Sequence, residues 1–165
     1  MACRQVQFFF LLAVLYTAGS PRGSILDDSS YGYMLPSPPE VAVWWCEATW
    51  KVGRERALPQ ATNDAVQIEA ARNEYEPFQL VLRPNVVLSN VTVSVSDLVR
   101  SGAPPNAIIS ATNCQVCLVD YVPVTEASDE FGAPGWYPDP LFPLTGPVAL
   151  AAQTNQPFWI TVYVP

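Results

Sequence analysis

The sequence predicts an all-β fold, an antiparallel β-sandwich with long proline-rich loops. Three observations predict it. Apolar residues alternate with their neighbours over short runs at 66–71, 78–82, 90–96 and 158–164, the period of a strand with one buried face. Seventeen Pro and eight Gly in 165 residues suit many short strands joined by turns and oppose helices. Half the residues are apolar and 14% are charged, which supplies a packed core and argues against a disordered chain. That length makes one domain.

In chain order, residues 1–19 read as a secretory signal peptide. Arg4 precedes the apolar run Phe8 to Tyr16, and Thr17, Ala18, Gly19 and Ser20 supply small residues at a cleavage site near Gly19. A retained signal anchor is the competing reading, but the apolar run is short for a bilayer. Residues 20–40 are rich in Ser, Pro, Gly and Asp and read as an exposed, flexible leader, with a mobile arm favoured over packing of Tyr31 and Tyr33 on the sandwich. The domain proper is expected over 41–165. Its first strand is 41–47, apolar on both faces. Trp44, Trp45 and Trp50 invite a carbohydrate-platform reading, but core or interface aromatics are the favoured one, since Trp44 and Trp45 point opposite ways and cannot form one platform. Lys51, Arg54, Glu55 and Arg56 read as a solvated loop or edge.

Val66 to Leu82 reads as two strands joined by a polar corner at 72–77, where Asn73 tolerates left-handed backbone angles and Pro77 blocks a helix. The run 90–96 is a strand with Val91, Val93 and Val95 inward. Asn90-Val91-Thr92 on its outward side is an N-glycosylation sequon, an acceptor in a host with that pathway. Residues 101–106 form a turn, and 114–124 the next strand. Residues 131–147, with Pro134, Pro138, Pro140, Pro143 and Pro147, read as a stiff irregular loop. There Trp136, Tyr137, Asp139 and Phe142 are candidates for an interdomain surface or a cleft rim. The plainer reading is a loop that caps the sandwich, with Asp139 accepting from backbone N–H groups. The last strand is 158–164, with Phe158, Ile160, Val162 and Val164 on one face.

Composition narrows the function classes. A net charge of −7 gives no basic footprint for nucleic acid. The chain has no His, which removes Ser-His-Asp and Cys-His catalysis and His-containing zinc sites. No cofactor or metal is implied, and after signal cleavage no membrane partner. Removal of Cys3 with the signal leaves Cys46, Cys114 and Cys117, enough for one disulfide and a free thiol. Cys114 and Cys117 lie three apart on a strand and so face opposite ways, against a redox or metal pair. Cys46 joined to one of them is the favoured bridge, closing a loop of roughly 70 residues worth ~4 kcal/mol on the chain-entropy account.

Four segments carry a family resemblance: WWCEATWKV at 44–52, AARNEYEPFQ at 70–79, WYPDPLFPL at 136–144 and NQPFWITVYVP at 155–165. In that order they resemble the N-terminal β-sandwich domain of glycoside hydrolase family 123 and its relatives. The resemblance implies a non-catalytic accessory domain of a secreted glycoside hydrolase acting on N-acetylhexosaminides, with a catalytic barrel of the same parent protein as its partner. Family 123 enzymes use neighbouring Asp and Glu residues in that barrel, so Asp129-Glu130 matches by composition alone and is not assigned to catalysis. The resemblance also implies further strands after Val164, so the sandwich is expected to be incomplete at Pro165, with its last strand at a raw, aggregation-prone edge. The alternative reading is a free-standing extracellular carbohydrate-binding or adhesion sandwich, which needs an exposed aromatic strip on one sheet face.

Overall fold

The computed structural model describes residues 24–101, 108–127 and 132–165. The signal segment, most of the 101–106 turn, and Asp129 and Glu130 lie outside them. Among the described residues the strands are β1 (Tyr33–Met34), β2 (Val41–Glu47), β3 (Glu74–Pro84), β4 (Leu88–Val91), β5 (Leu98–Val99), β6 (Ile108–Ile109), β7 (Cys114–Val124), β8 (Gly135–Pro143), β9 (Val148–Leu150) and β10 (Gln156–Val164). Six of them make one antiparallel sheet in the order β1-β2-β3-β10-β7-β8. The ribbons β4–β9 and β5–β6 are separate antiparallel pairs. The predicted antiparallel all-β sandwich is the fold observed.

The last strand is not a raw edge. β10 lies in the middle of the sheet, in continuous register with β3 from Gln156↔Leu82 to Val164↔Glu74 and with β7 on its other side. Its period-two apolar face follows, with Phe158, Ile160 and Val162 buried. The outer strand is β8, in the stretch expected as an irregular loop. Pro138 and Pro143 pair with Tyr121 and Cys117 there, and a register shift falls between Val119 and Tyr121. Proline lacks a ladder donor, but an outer strand has one side that needs none. Pro77 lies inside β3 on the same logic, since β2 ends at Glu47 opposite Phe78 and leaves that flank of Pro77 open.

Two expected strands are shorter or absent. Residues 66–71 belong to no strand, and β3 begins only at Glu74. The corner before it is as predicted, with Asn73 at φ 62°. Its N–H donates to Val164 O at 2.7 Å and its Oδ1 accepts from Tyr163 OH at 3.2 Å. The run 90–96 is a strand only to Val91. Asn90 takes a φ of 60°, outside the strand region, and the ladder to β9 is irregular between Leu88 and Val91. The alternation survives as exposure, with Val91, Val93 and Val95 half-buried between exposed polar residues.

The leader is not a free arm. Tyr33 and Met34 pair with Trp45 and Trp44 to form β1, and Tyr31 is buried in the core with Trp44, Cys46, Val52 and Val81. Gly32 makes the turn between them at φ 92°, a conformation that L side chains resist. Gly53 lets the leader cross, because a Cβ there would collide with the Leu26 carbonyl. Ser24 caps a short 3₁₀ turn, Ile25–Asp27, by accepting from Leu26 N at 3.2 Å. Serine, proline and glycine signal turns, and here the turns press two tyrosines onto the sheet.

Residues 48–58 have no regular structure, yet they cover the Trp44 and Val81 face, and their carbonyls are satisfied mainly by side chains. Gln79 Nε2 donates to Trp50 O at 2.8 Å and to Glu47 O and Ala48 O at 3.3 Å. Tyr31 OH donates to Lys51 O at 2.8 Å, and Tyr121 OH to Val52 O at 3.0 Å. Asn155 Nδ2 donates to Gly53 O and Arg56 O, while its Oδ1 accepts from Trp44 Nε1 at 3.3 Å. Buried carbonyls need such partners wherever no ladder supplies them.

Arg56, expected in solvent, is 1% exposed. Its guanidinium lies 4.2 Å from the Tyr31 ring centroid and 4.5 Å from that of Trp44, and donates to Tyr31 O and Ala57 O. Two aromatic faces and two carbonyls replace water around the charge. Residues 24–40 are thus part of the domain, and their removal is expected to destabilise it. A chain starting at Val41 loses the cover of Trp44 and should unfold with about 3 kcal/mol or more less stability than one starting at Ser24. Thermal melts of the two, followed by circular dichroism, check this, and equal melting temperatures would contradict it.

Candidate functional site

The sequence-predicted residues Trp136, Tyr137, Asp139 and Phe142 all lie on β8, but the structure spreads them along an edge rather than gathering them in a pocket. Trp136 is opposite Pro123, Tyr137 opposite Val122, and Phe142 opposite Leu118. Side chains alternate across a strand, so neighbours Trp136 and Tyr137 face opposite sides of the sheet. Trp136 is 44% exposed and Phe142 52% exposed, and Leu141 between them is exposed too. Tyr137 is half-buried and its hydroxyl donates to Ala133 O at 2.9 Å, which ties the entry loop to the strand.

Among the described residues no backbone N–H donates to Asp139, where the capping reading expected one to. It is exposed and pairs with Lys51 Nζ at 3.5 Å, and the same ammonium donates to Pro138 O at 3.2 Å. An ion pair this exposed adds little stability. Its consequence is positional, since it joins the 48–58 segment to the outer strand. Arg54 repeats the link, with its guanidinium 5.4 Å from the Trp136 ring centroid. Trp50, the third tryptophan of 44–50, stacks on Tyr31 at 4.3 Å with planes 5° apart, so one face of each exposed indole is occupied. The roles of Lys51 and Arg54 were missed, because their spacing from β8 in sequence carries no signal of contact. Tyr121 is likewise a buried tether, and burial raises the pKa of its hydroxyl against the pull of Arg54. A concavity of about 300 Å³ lies beside the Lys51–Asp139 pair, with Trp50, Leu141 and Trp159 in its wall.

The candidate disulfide is not formed: Cys46, Cys114 and Cys117 are free thiols. Register explains it. Cys46 pairs with Gln79, Gln79 with Trp159, and Trp159 with Cys117, so the two cysteines share one row and one face. Three strand spacings separate them, roughly 14 Å at about 4.8 Å each, twice the reach of a disulfide. Cys114 lies three residues further along β7 and on the other face. Asn90 is exposed, so the sequon is accessible.

Burial pushes the Cys46 thiol up to about 12, with Arg56 opposing the shift. Burial also raises Cys114 and Cys117. Thiols held protonated are poor nucleophiles. The sign of the linkage follows: the unfolded thiol ionises first, so the stability from burying neutral Cys46 is full below pH 9.0 and is lost as the pH rises from there towards about 12. Iodoacetamide at about pH 8 should leave Cys46 unlabelled in the folded chain and label it after denaturation, as read by peptide mass spectrometry. Labelling of folded Cys46 at the rate of a free cysteine would contradict this account.

Comparison with known proteins places these features. No curated protein matches the chain. A similar solved structure is a family 123 glycoside hydrolase from Clostridium perfringens, analysed for glycolipid glycan hydrolysis; it is 19% identical with a TM-score of 0.48. The match covers 58% of this chain and 16% of that one, so the chain spans a small part of that relative's length. The family model described as the glycoside hydrolase 123 N-terminal domain matches residues 45–165, from Trp45 on β2 to the end of β10. The chain belongs to the glycoside hydrolase 123 N-terminal domain family.

Proposed function

We propose that this chain is the non-catalytic N-terminal domain of a secreted glycoside hydrolase acting on N-acetylhexosaminides, with hydrolysis performed by a catalytic barrel of the same parent protein. The observation that carries the reading is the family match over residues 45–165, which is to an N-terminal domain. Two features support it. The apolar edge of β8 presents Trp136, Leu141 and Phe142 to the outside in a form suited to being covered by a neighbouring domain. The basic, apolar and small-residue order of residues 4–20 supports secretion.

The mechanical role follows from the same geometry. A stiff outer strand, fixed by prolines and tied inward by Lys51 and Arg54, offers a surface whose shape is set before a partner arrives. Binding to it costs little ordering entropy. The purified chain, incubated with a chromogenic N-acetyl-β-galactosaminide, is expected to release no product above the enzyme-free rate. Release that scales with chain concentration would overturn the proposal.

A further inference from the structure

The corner of the sheet where β1, β2 and β3 meet carries a second concavity, on the opposite side of β2 from Trp44. Register places its parts together: Tyr33 is opposite Trp45, and Glu47 two residues on is opposite Phe78, with Glu76 two residues from Phe78 along β3. All five share one face of the sheet. The segment before Asn73 brings Asn63, Gln67 and Glu69 to the rim. The concavity measures about 540 Å³, within the range of small-molecule sites.

Three of its properties point to one ligand chemistry. Tyr33 is 41% exposed and stacks on Trp45 with ring centroids 5.3 Å apart, so the outer face of a fixed aromatic ring is left for a ligand. The electron-rich face of that ring attracts the weakly positive C–H groups of a sugar ring. Among the described residues the one salt bridge joins Lys51 to Asp139, so Glu47, Glu69 and Glu76 have no cationic partner and remain hydrogen-bond acceptors. Trp45 is 4% exposed, and its indole N–H has no hydrogen-bond partner among the described residues. Trp45 lines the concavity together with Gln67, Ile68 and Glu69, which belong to no strand. A cation would satisfy the carboxylates and leave the N–H unmet. A sugar supplies both donors and acceptors.

We propose that this concavity is a saccharide-binding subsite, with Tyr33 as its platform and the carboxylates of Glu47, Glu69 and Glu76 accepting from ring hydroxyls. It takes no part in bond breaking and goes beyond the accessory-domain reading, since a domain can hold a glycan whether or not a barrel follows it. The test is titration of the folded chain with galactose, N-acetylgalactosamine and lactose, read by tryptophan emission and by calorimetry, with choline as a cationic control. Saturable binding of a sugar is expected, weakened at least about tenfold by Tyr33→Ala and kept by Tyr33→Phe and by Trp136→Ala. Glu76→Gln, which preserves side-chain shape, should weaken it several-fold and serves if Tyr33→Ala does not fold. No sugar binding, binding indifferent to both Tyr33→Ala and Glu76→Gln, or binding of choline alone would overturn the proposal. Hydrolysis is not read in this experiment, so its failure is separate from failure of the proposed function.

Discussion

An irregular segment can lie on a β-sheet only if its backbone carbonyls find donors, and in this protein that constraint organises the molecule. The carbonyls of 47–57 are met by Gln79 and Arg83 from β3, Asn155 just before β10, Tyr121 from β7 and Tyr31 from the leader. The donors come from β3, from β7, from the residue before β10 and from the leader, so the segment closes the core only when sheet and leader are both in place. Asn155 is the most demanding of them. It is buried, receives the Trp44 indole N–H, donates to two carbonyls, and its own N–H donates to Arg54 O at 2.8 Å. Arg56 completes the closure from within the segment, holding its charge between Tyr31 and Trp44.

This arrangement explains what was and was not legible in the sequence. The strands 41–47, 114–124 and 158–164 match β2, β7 and β10 closely, because all three are long apolar runs in or beside the sheet centre, where burial enforces the pattern. β8 was hidden by its prolines, whose lost donors matter in a central strand and not at an outer one. The run 66–71 alternates as a strand would but lacks a neighbour to pair with, and local pattern alone cannot supply one. The burial of Arg56 was hidden because sequence separation says nothing of the aromatic pair that receives it. Tyr31 and Tyr33, two large rings in a turn-rich stretch, were the available sign that the leader packs.

The candidate surfaces show the same division. The aromatic residues at 136–142 were legible as a functional stretch, but their alternation about an outer strand, and the tethers from Lys51 and Arg54, are products of topology. The cysteines reverse the expectation: placed on one row by register, Cys46 and Cys117 are kept apart by the two strands between them. β10 separates β3 from β7, and so its central place in the sheet decides both the missing bridge and the row through Trp159.

The role given to Asn155 is the most exposed part of this account. Asn155→Leu keeps the branching and the number of heavy atoms of the side chain and removes the hydrogen bonds that side chain makes, leaving the Trp44 N–H and the Gly53 carbonyl without their partner. Urea unfolding of this variant should show a loss of about 3 kcal/mol or more relative to the parent chain, as expected when buried polar groups go unmet. A loss below about 0.5 kcal/mol, that of an ordinary surface change, would contradict the claim that side-chain donors hold the 48–58 segment to the sheet.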